Sequence, residues 1–231
     1  MVTARAAPAI ALCSAVLFGA STPFAKLLLG EGISPVLLAG LFYLGSGIGL
    51  AALTLARRMI RGGSTEAPLR RSDLPWLALV VFFGGVAGPV LLMIGLATTS
   101  GSAAALLLNV EGLATMAIAW IVVRESVDRR LLVGAFAILA GAVVLSWQRD
   151  TGTLGFGALA IIGACVAWGI DNNLTRRLSA ADPVQIAMIK GLVAGAVNTA
   201  LALSSGDLLP TAGPLAVAGL VGFIGYGASL V

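Results

Sequence analysis

Histidine is absent from this 231-residue sequence, and only 10% of its residues are charged. The missing imidazole excludes Ser-His and Cys-His catalysis, histidine metal ligands and histidine proton relays. The two cysteines, Cys13 and Cys165, each lie within an apolar run. They are typical of small buried residues and say little about a redox compartment. We therefore expect no metal site, no cofactor and no enzymatic activity.

The shortage of charge indicates a membrane protein. Hydrophobic residues make up 59% of the chain and the mean hydropathy is +1.04, whereas soluble domains carry roughly 25% charged residues. The net charge of +4 comes from short basic runs between apolar stretches. That distribution is typical of membrane topology and argues against a nucleic-acid partner. The lipid bilayer is thus the predicted surrounding.

Eight apolar runs are long enough, or nearly so, to cross a bilayer as helices, because crossing takes about 20 residues and lipid leaves no partners for unpaired backbone groups. The first is longer than a cleaved signal sequence, and the fifth is short. The predicted fold is an all-α polytopic transmembrane helix bundle of about eight spans. The runs are Pro8–Leu29, Pro35–Ala56, Leu74–Ala97, Gly101–Val123, Leu131–Trp147, Leu154–Thr175, Val184–Ser205 and Thr211–Val231.

Basic residues predict the orientation of these spans. With the N-terminus inside, the inner segments hold 11 of the 14 lysines and arginines, and the outer loops hold only Arg149. The other two, Lys26 and Lys190, lie within spans. Because positive residues are enriched on the cytoplasmic side, we expect a multi-pass protein of the cell inner membrane with a cytoplasmic N-terminus.

An internal repeat is the second organising signal. Phe18-Gly19 recurs as Trp168-Gly169 at an offset of 150 residues, and Ser34-Pro35 recurs as Asp182-Pro183 at 148. Five spans separate the copies, so one copy is inverted relative to the other, as in many secondary transporters. This predicts a five-helix repeat at 1–150 and a partial, three-helix repeat at 151–231. The two further helices of a full second half are expected to be lost by truncation, which we favour, or to be absent by design. The alternative is that glycine-rich membrane helices resemble one another by composition.

Three stretches carry a family resemblance that extends over essentially the whole chain: "LFGASTPFAKLL" from Leu17, "LLLNVEGLATMAIAWIVVRESVDRRLLVGAFAILAGAVVL" from Leu106, covering spans 4 and 5, and "WGIDNNLTRRLSAADPVQIAMIKGLVAG" from Trp168. Through them the sequence resembles the EamA-type members of the drug/metabolite transporter superfamily. The resemblance implies ten spans in two five-span halves and transport of small organic metabolites or drugs. On that pattern we expect eight of the ten spans within these 231 residues.

Glu111 is the candidate for the central site residue. It lies ten residues after Gly101, about 15 Å along the helix and close to the bilayer midplane. An acid at that depth is costly and suggests function, and apolar surroundings favour its protonated form. It shares a helix face with Thr115, whereas Asn109 points elsewhere; we favour the Glu111 face for a polar cavity. The alternative is an acid that only holds helices together.

Other polar and aromatic residues within the spans are further candidates. Lys190 either extends to the interface or pairs with Glu111. Asp171 and Asn172 near the inner end of span 6 indicate a wet vestibule, a helix end or a binding role. Trp168 and Tyr226 offer flat amphipathic surfaces for an organic substrate, although interfacial belts use the same residues.

The function expected from these signals is transport of a small organic metabolite or drug-like molecule by alternating access, as efflux coupled to protons. The alternative is a non-transporting membrane protein: a truncated or inactive remnant, an assembly partner or a scramblase. The sequence specifies neither the substrate nor the oligomeric state.

Overall fold

The computed structural model describes residues 7–61, 69–124, 129–148, 153–178 and 181–230. Arg5 and Arg149, which contributed to the predicted orientation, lie outside these ranges. The described residues form α-helices and short 3-10 turns, interrupted by three π-helical segments, π1 to π3, and one ladder of two-residue strands, in which Trp147–Gln148 pairs antiparallel with Thr153–Leu154. In chain order the helical elements are α1 (Ala7–Gly30), α2 (Pro35–Arg61), α3 (Leu74–Val80), π1 (Val81–Ala87), α4 (Gly88–Thr98), α5 (Gly101–Leu107), α6 (Val110–Ile118), π2 (Ala119–Val123), α7 (Arg129–Ser146), α8 (Phe156–Thr175), α9 (Pro183–Ser204), α10 (Ala212–Gly222) and π3 (Phe223–Gly227).

The predicted all-α polytopic bundle is confirmed. Helix covers most of each of the eight apolar runs, and among the described residues six helices are long and apolar enough to cross a membrane. The helix at Ala212–Gly227 is apolar but shorter. The total of eight spans therefore stays a prediction.

Contacts divide the chain into two compact units. The terminal unit holds residues 1–71 and 179–231, and the central unit holds residues 72–178. Each unit draws helices from both predicted repeat halves, 1–150 and 151–231, which remain a prediction about the chain's internal symmetry.

In the terminal unit, α2 and α9 pack with their backbones in close approach. A Cβ atom at Gly191 would lie 2.6 Å from the Gly47 backbone nitrogen, so only glycine fits there. Small residues allow this contact. Because lipid removes the hydrophobic driving force between helices, dispersion and weak backbone interactions at such close contacts hold α2 and α9 together. Asp182 caps the start of α9, accepting from the backbone N–H of Val184 at 2.9 Å.

The loops of the terminal unit are consistent with helices that cross the membrane in alternating directions. The Ser34 hydroxyl, after α1, donates to the Asp207 carboxylate, after α9. Ser34 also immediately precedes α2; beyond the other end of α2, at the start of α9, the Leu69 backbone N–H donates to the Gln185 side-chain oxygen at 3.1 Å. Antiparallel neighbours place such loops at the same end of a bundle.

In the central unit, α8 is the helix that organises the packing. It contacts α3, π1 and α4 on one side and α6 on another, and Ile161, Ala164 and Cys165 are fully buried within it. Its C-terminal half carries the polar residues of the candidate site.

Candidate functional site

Asn172 on α8 joins two of the predicted site residues. Its side-chain nitrogen donates to a Glu111 carboxylate oxygen at 3.1 Å and to the Thr115 hydroxyl at 3.1 Å. An amide nitrogen carries two hydrogens, so it can serve both acceptors at once. Glu111 and Thr115 lie one helical turn apart on α6, and both are half-buried. The acid therefore belongs to a network between α6 and α8.

A local break in the fourth apolar run places Glu111 at the start of a helix. α5 ends at Leu107, and the turn at Leu108 and Asn109 precedes α6. The Asn109 side chain stabilises this turn by donating to the carbonyls of Ala105 and Leu106, each at 3.1 Å. Because a helix N-terminus carries partial positive charge, a carboxylate in the first turn is stabilised there. The break thus explains how this run tolerates an acid.

Asp171 contacts a different neighbour of α8. Its carboxylate is 4% exposed, accepts from the Thr175 hydroxyl at 3.2 Å, and lies against the backbone of Gly84 in π1. A Cβ atom at Gly84 would overlap the carboxylate. One turn earlier, the Trp168 indole nitrogen donates to the Gly84 carbonyl at 3.1 Å. Wider π turns are frequently found at functional sites.

Asn173 completes the polar run on α8. Its side-chain nitrogen donates to the Thr115 carbonyl at 3.0 Å and to the Gly169 carbonyl at 2.8 Å. Its side-chain oxygen is buried and has no hydrogen-bond partner in the described part of the chain. Such an acceptor is normally satisfied by water or a ligand.

Three further predicted residues belong to other elements: Asn109 to the turn before α6, Lys190 to α9 and Tyr226 to π3. Asn109 is exposed and bonds within its own turn. Lys190 and Tyr226 belong to the terminal unit. Tyr226 is buried in π3, with ring centroids 5.4 to 5.6 Å from those of Phe18, Phe42 and Tyr43. Trp168 and Tyr226 thus use their aromatic surfaces in packing.

Two glycines that were not predicted as site residues shape the site. Gly84 supports Asp171 and Trp168, and Gly169 lets α6 approach α8, since a Cβ atom there would lie 2.9 Å from the Thr115 backbone nitrogen. The spacing of Gly84 and Gly88 signals a packing face but gives no partner. Within the described residues, no three His, Cys, Asp or Glu side chains are grouped to hold a metal ion.

A family model for the EamA-like transporter family matches residues 6–147, more than half of the chain. The chain belongs to the EamA-like transporter family. This membership, with the apolar helices, makes it a multi-pass membrane protein of a transporter family, and the matched residues include Glu111, Thr115 and Gly84.

Two individual proteins resemble this family member. An uncharacterized transporter of Methanothermobacter thermautotrophicus (strain Delta H) is 29% identical over 199 residues, which are 80% of this chain and 58% of the relative. The chain therefore spans less than two thirds of that relative. A solved crystal structure matches with a TM-score of 0.64 and 18% identity, over 94% of this chain and 77% of the other. At that identity the likeness concerns the fold alone.

Proposed function

We propose that the chain is a carrier that moves a small organic metabolite or drug-like molecule across the cell inner membrane by alternating access. The observation that carries the proposal is the Glu111–Asn172–Thr115 network between two membrane helices, with a buried unpaired oxygen on Asn173 beside it. Family membership supports transport in general. The network supports a substrate-binding site between α6 and α8.

The physical argument is the cost of polar groups in a membrane. Acids and amides within spans are expensive and usually face a cavity or one another. Here α6 and α8 gather an acid, two amides and a hydroxyl at one level of the bundle. An additional donor is needed to satisfy the Asn173 oxygen, and a substrate N–H or O–H group supplies one.

Proton coupling follows from the chemistry of Glu111. A carboxylate accepts hydrogen bonds only, whereas the protonated acid also donates one. A proton and a substrate donor therefore compete for a Glu111 carboxylate oxygen. Through this competition, proton entry drives substrate exit. We propose efflux on this basis, with the N-terminus in the cytoplasm as the basic residues indicate.

Proteoliposomes containing the 231-residue chain test the proposal. A panel of radiolabelled metabolites and drug-like amines is offered with and without an imposed pH gradient. We expect gradient-dependent movement of at least one compound by the wild type. Glu111→Gln keeps the shape but cannot release a proton, so its remaining transport should be independent of pH.

The matched control is Glu31→Gln, which makes the same acid-to-amide change at an exposed residue after α1, outside the network. It should retain the pH dependence of the wild type. Unchanged pH dependence in Glu111→Gln would reject Glu111 as the proton site. No transport of any compound by the wild type would favour the alternative, a non-transporting membrane protein such as an inactive remnant, an assembly partner or a scramblase.

A further inference from the structure

The contact between α8 and π1 has a close parallel in the terminal unit. There α1 meets π3: the Phe18 ring lies 5.4 Å from the Tyr226 ring, and a Cβ atom at Gly225 would lie 2.8 Å from the Ser21 Cβ. In both units, an aromatic residue and a polar residue three positions later contact a glycine-containing π segment. We call each arrangement a joint.

The two joints agree in register. Phe18 and Trp168 are 150 positions apart, and so are Ser21 and Asp171. Gly84 and Gly225 are 141 positions apart, as are Phe82 and Phe223, and Ala87 and Ala228. Shifted by the same 141 positions, π3 falls on residues 82–86, inside π1. Chance resemblance between glycine-rich helices would not align polar contact, aromatic contact and π turn together.

The chain order of the joints fits an exchange of repeat halves. α1 lies in the predicted first half and π3 in the second, whereas π1 lies in the first and α8 in the second. Exchanging the halves turns α1 into α8 and π3 into π1, so that one joint becomes the other. An inverted repeat requires this reciprocity.

We propose that Ser21, seated on Gly225, is the terminal unit's counterpart of Asp171 on Gly84, and that it is a positioning residue for transport. In both joints a glycine lets a side chain approach the backbone of a π turn. Asp171 makes this contact through its carboxylate, and Ser21 makes it through its Cβ while its hydroxyl donates to the Phe18 carbonyl at 2.6 Å. Each contact therefore fixes where one helix meets another. The joints differ in charge, because only the central one carries a carboxylate. The part concerning transport rests on the proposed function.

Gly225→Ala tests the terminal joint, because its new methyl group would press on Ser21. Overpacking costs about 1–3 kcal/mol. If this cost raises the barrier of the conformational change in alternating access, turnover falls at least about fivefold. We expect that loss with KM changed less than about twofold, since a positioning contact acts on the conformational step and not on substrate binding. Ser21→Gly removes the opposing Cβ and should restore turnover in the double variant. The control is Gly219→Ala in the same run, where a Cβ atom meets nothing within 4 Å.

Two further arms keep the result decisive. If Gly225→Ala does not fold, Ser21→Thr adds one methyl group to the same contact and should lower turnover in the same way. At the central joint, Gly84→Ala should also lower turnover, but Asp171→Gly should not restore it, because it also removes the buried acceptor of the Thr175 hydroxyl. Wild-type turnover in folded Gly225→Ala or in Ser21→Thr, or failure of Ser21→Gly to rescue Gly225→Ala, overturns the proposal.

A failure of the proposed function is distinguishable from a failure of the joint. If the wild type transports nothing, the proposed function and the transport role of Ser21 both fail. The unfolding temperature in detergent then tests the contact between Ser21 and Gly225 separately from transport. Ser21→Gly should recover the temperature lost in Gly225→Ala if the two residues are in contact, and no recovery overturns that contact.

Discussion

Replacing Asn172 with alanine removes the donor that links Glu111 and Thr115 to α8. Two hydrogen bonds of 3.1 Å are lost, one to a carboxylate oxygen and one to a hydroxyl. A hydrogen bond contributes about 0.5–1.5 kcal/mol, more when one partner is charged, and interhelical bonds in membranes average about 0.6 kcal/mol. Because the acceptors are half-buried, we expect the free energy of unfolding to fall by about 1–2 kcal/mol.

A double-mutant cycle separates the lost bonds from the lost side-chain volume. Unfolding is followed by circular dichroism during titration of mixed micelles with a denaturing detergent, for the wild type, Asn172→Ala, Glu111→Ala and the double variant. If the bond is present, Asn172→Ala should cost at least about 0.6 kcal/mol less in the Glu111→Ala background.

Equal costs in the two backgrounds, within about 0.3 kcal/mol, would refute the network and with it the structural basis of the proposed site. Gln185→Ala is the control for removing an amide. Its side-chain oxygen accepts from the Leu69 backbone N–H in the terminal unit, so it should show no coupling to Glu111.

Two other outcomes are expected. Gly169→Ala places a methyl group 2.9 Å from the Thr115 backbone nitrogen, so it should lower the free energy of unfolding by about 1–3 kcal/mol. The control is Gly163→Ala in the same helix, where the nearest contact of the new methyl group is an ordinary 3.4 Å and the effect should be nearly neutral. Equal losses of unfolding free energy in the two variants would contradict the close approach of α6 and α8. A reporter inserted at residues 62–68, outside the described residues, should be active only in the cytoplasm, and a periplasmic signal would reverse the orientation.

The site was predictable as a set of residue types. Glu111 and Thr115 could be placed on one face from helical periodicity alone, and Asp171 and Asn172 stood out as polar residues within an apolar run. Their partners could not be predicted, because a hydrogen bond between α6 and α8 depends on the rotation of both helices. Asp171 and Asn172 are neighbours in sequence, yet one contacts π1 and the other α6.

The break before Glu111 was also not predictable. Hydropathy treats residues 101–123 as one continuous span, since apolar side chains look alike whether the backbone turns or not. The structure shows that Asn109 turns its amide back onto the preceding carbonyls. In the same turn the backbone N–H groups of Asn109 and Glu111 donate to the carbonyls three residues earlier, each at 3.1 Å, and α6 begins after this tighter turn.

By itself, the amino-acid sequence determined the class of this protein: too few charges for water, apolar runs of membrane length, and basic residues concentrated at alternate ends. These properties depend on composition along the chain, because each span must pair its own backbone groups and present apolar side chains to the lipid. The tertiary structure alone decided which helices touch, why Gly84, Gly169 and Gly225 must be glycine, and that Asn172 reaches Glu111. Close packing joins residues that are distant in sequence, and its geometry depends on the relative rotation and depth of two helices, which no single run of residues specifies.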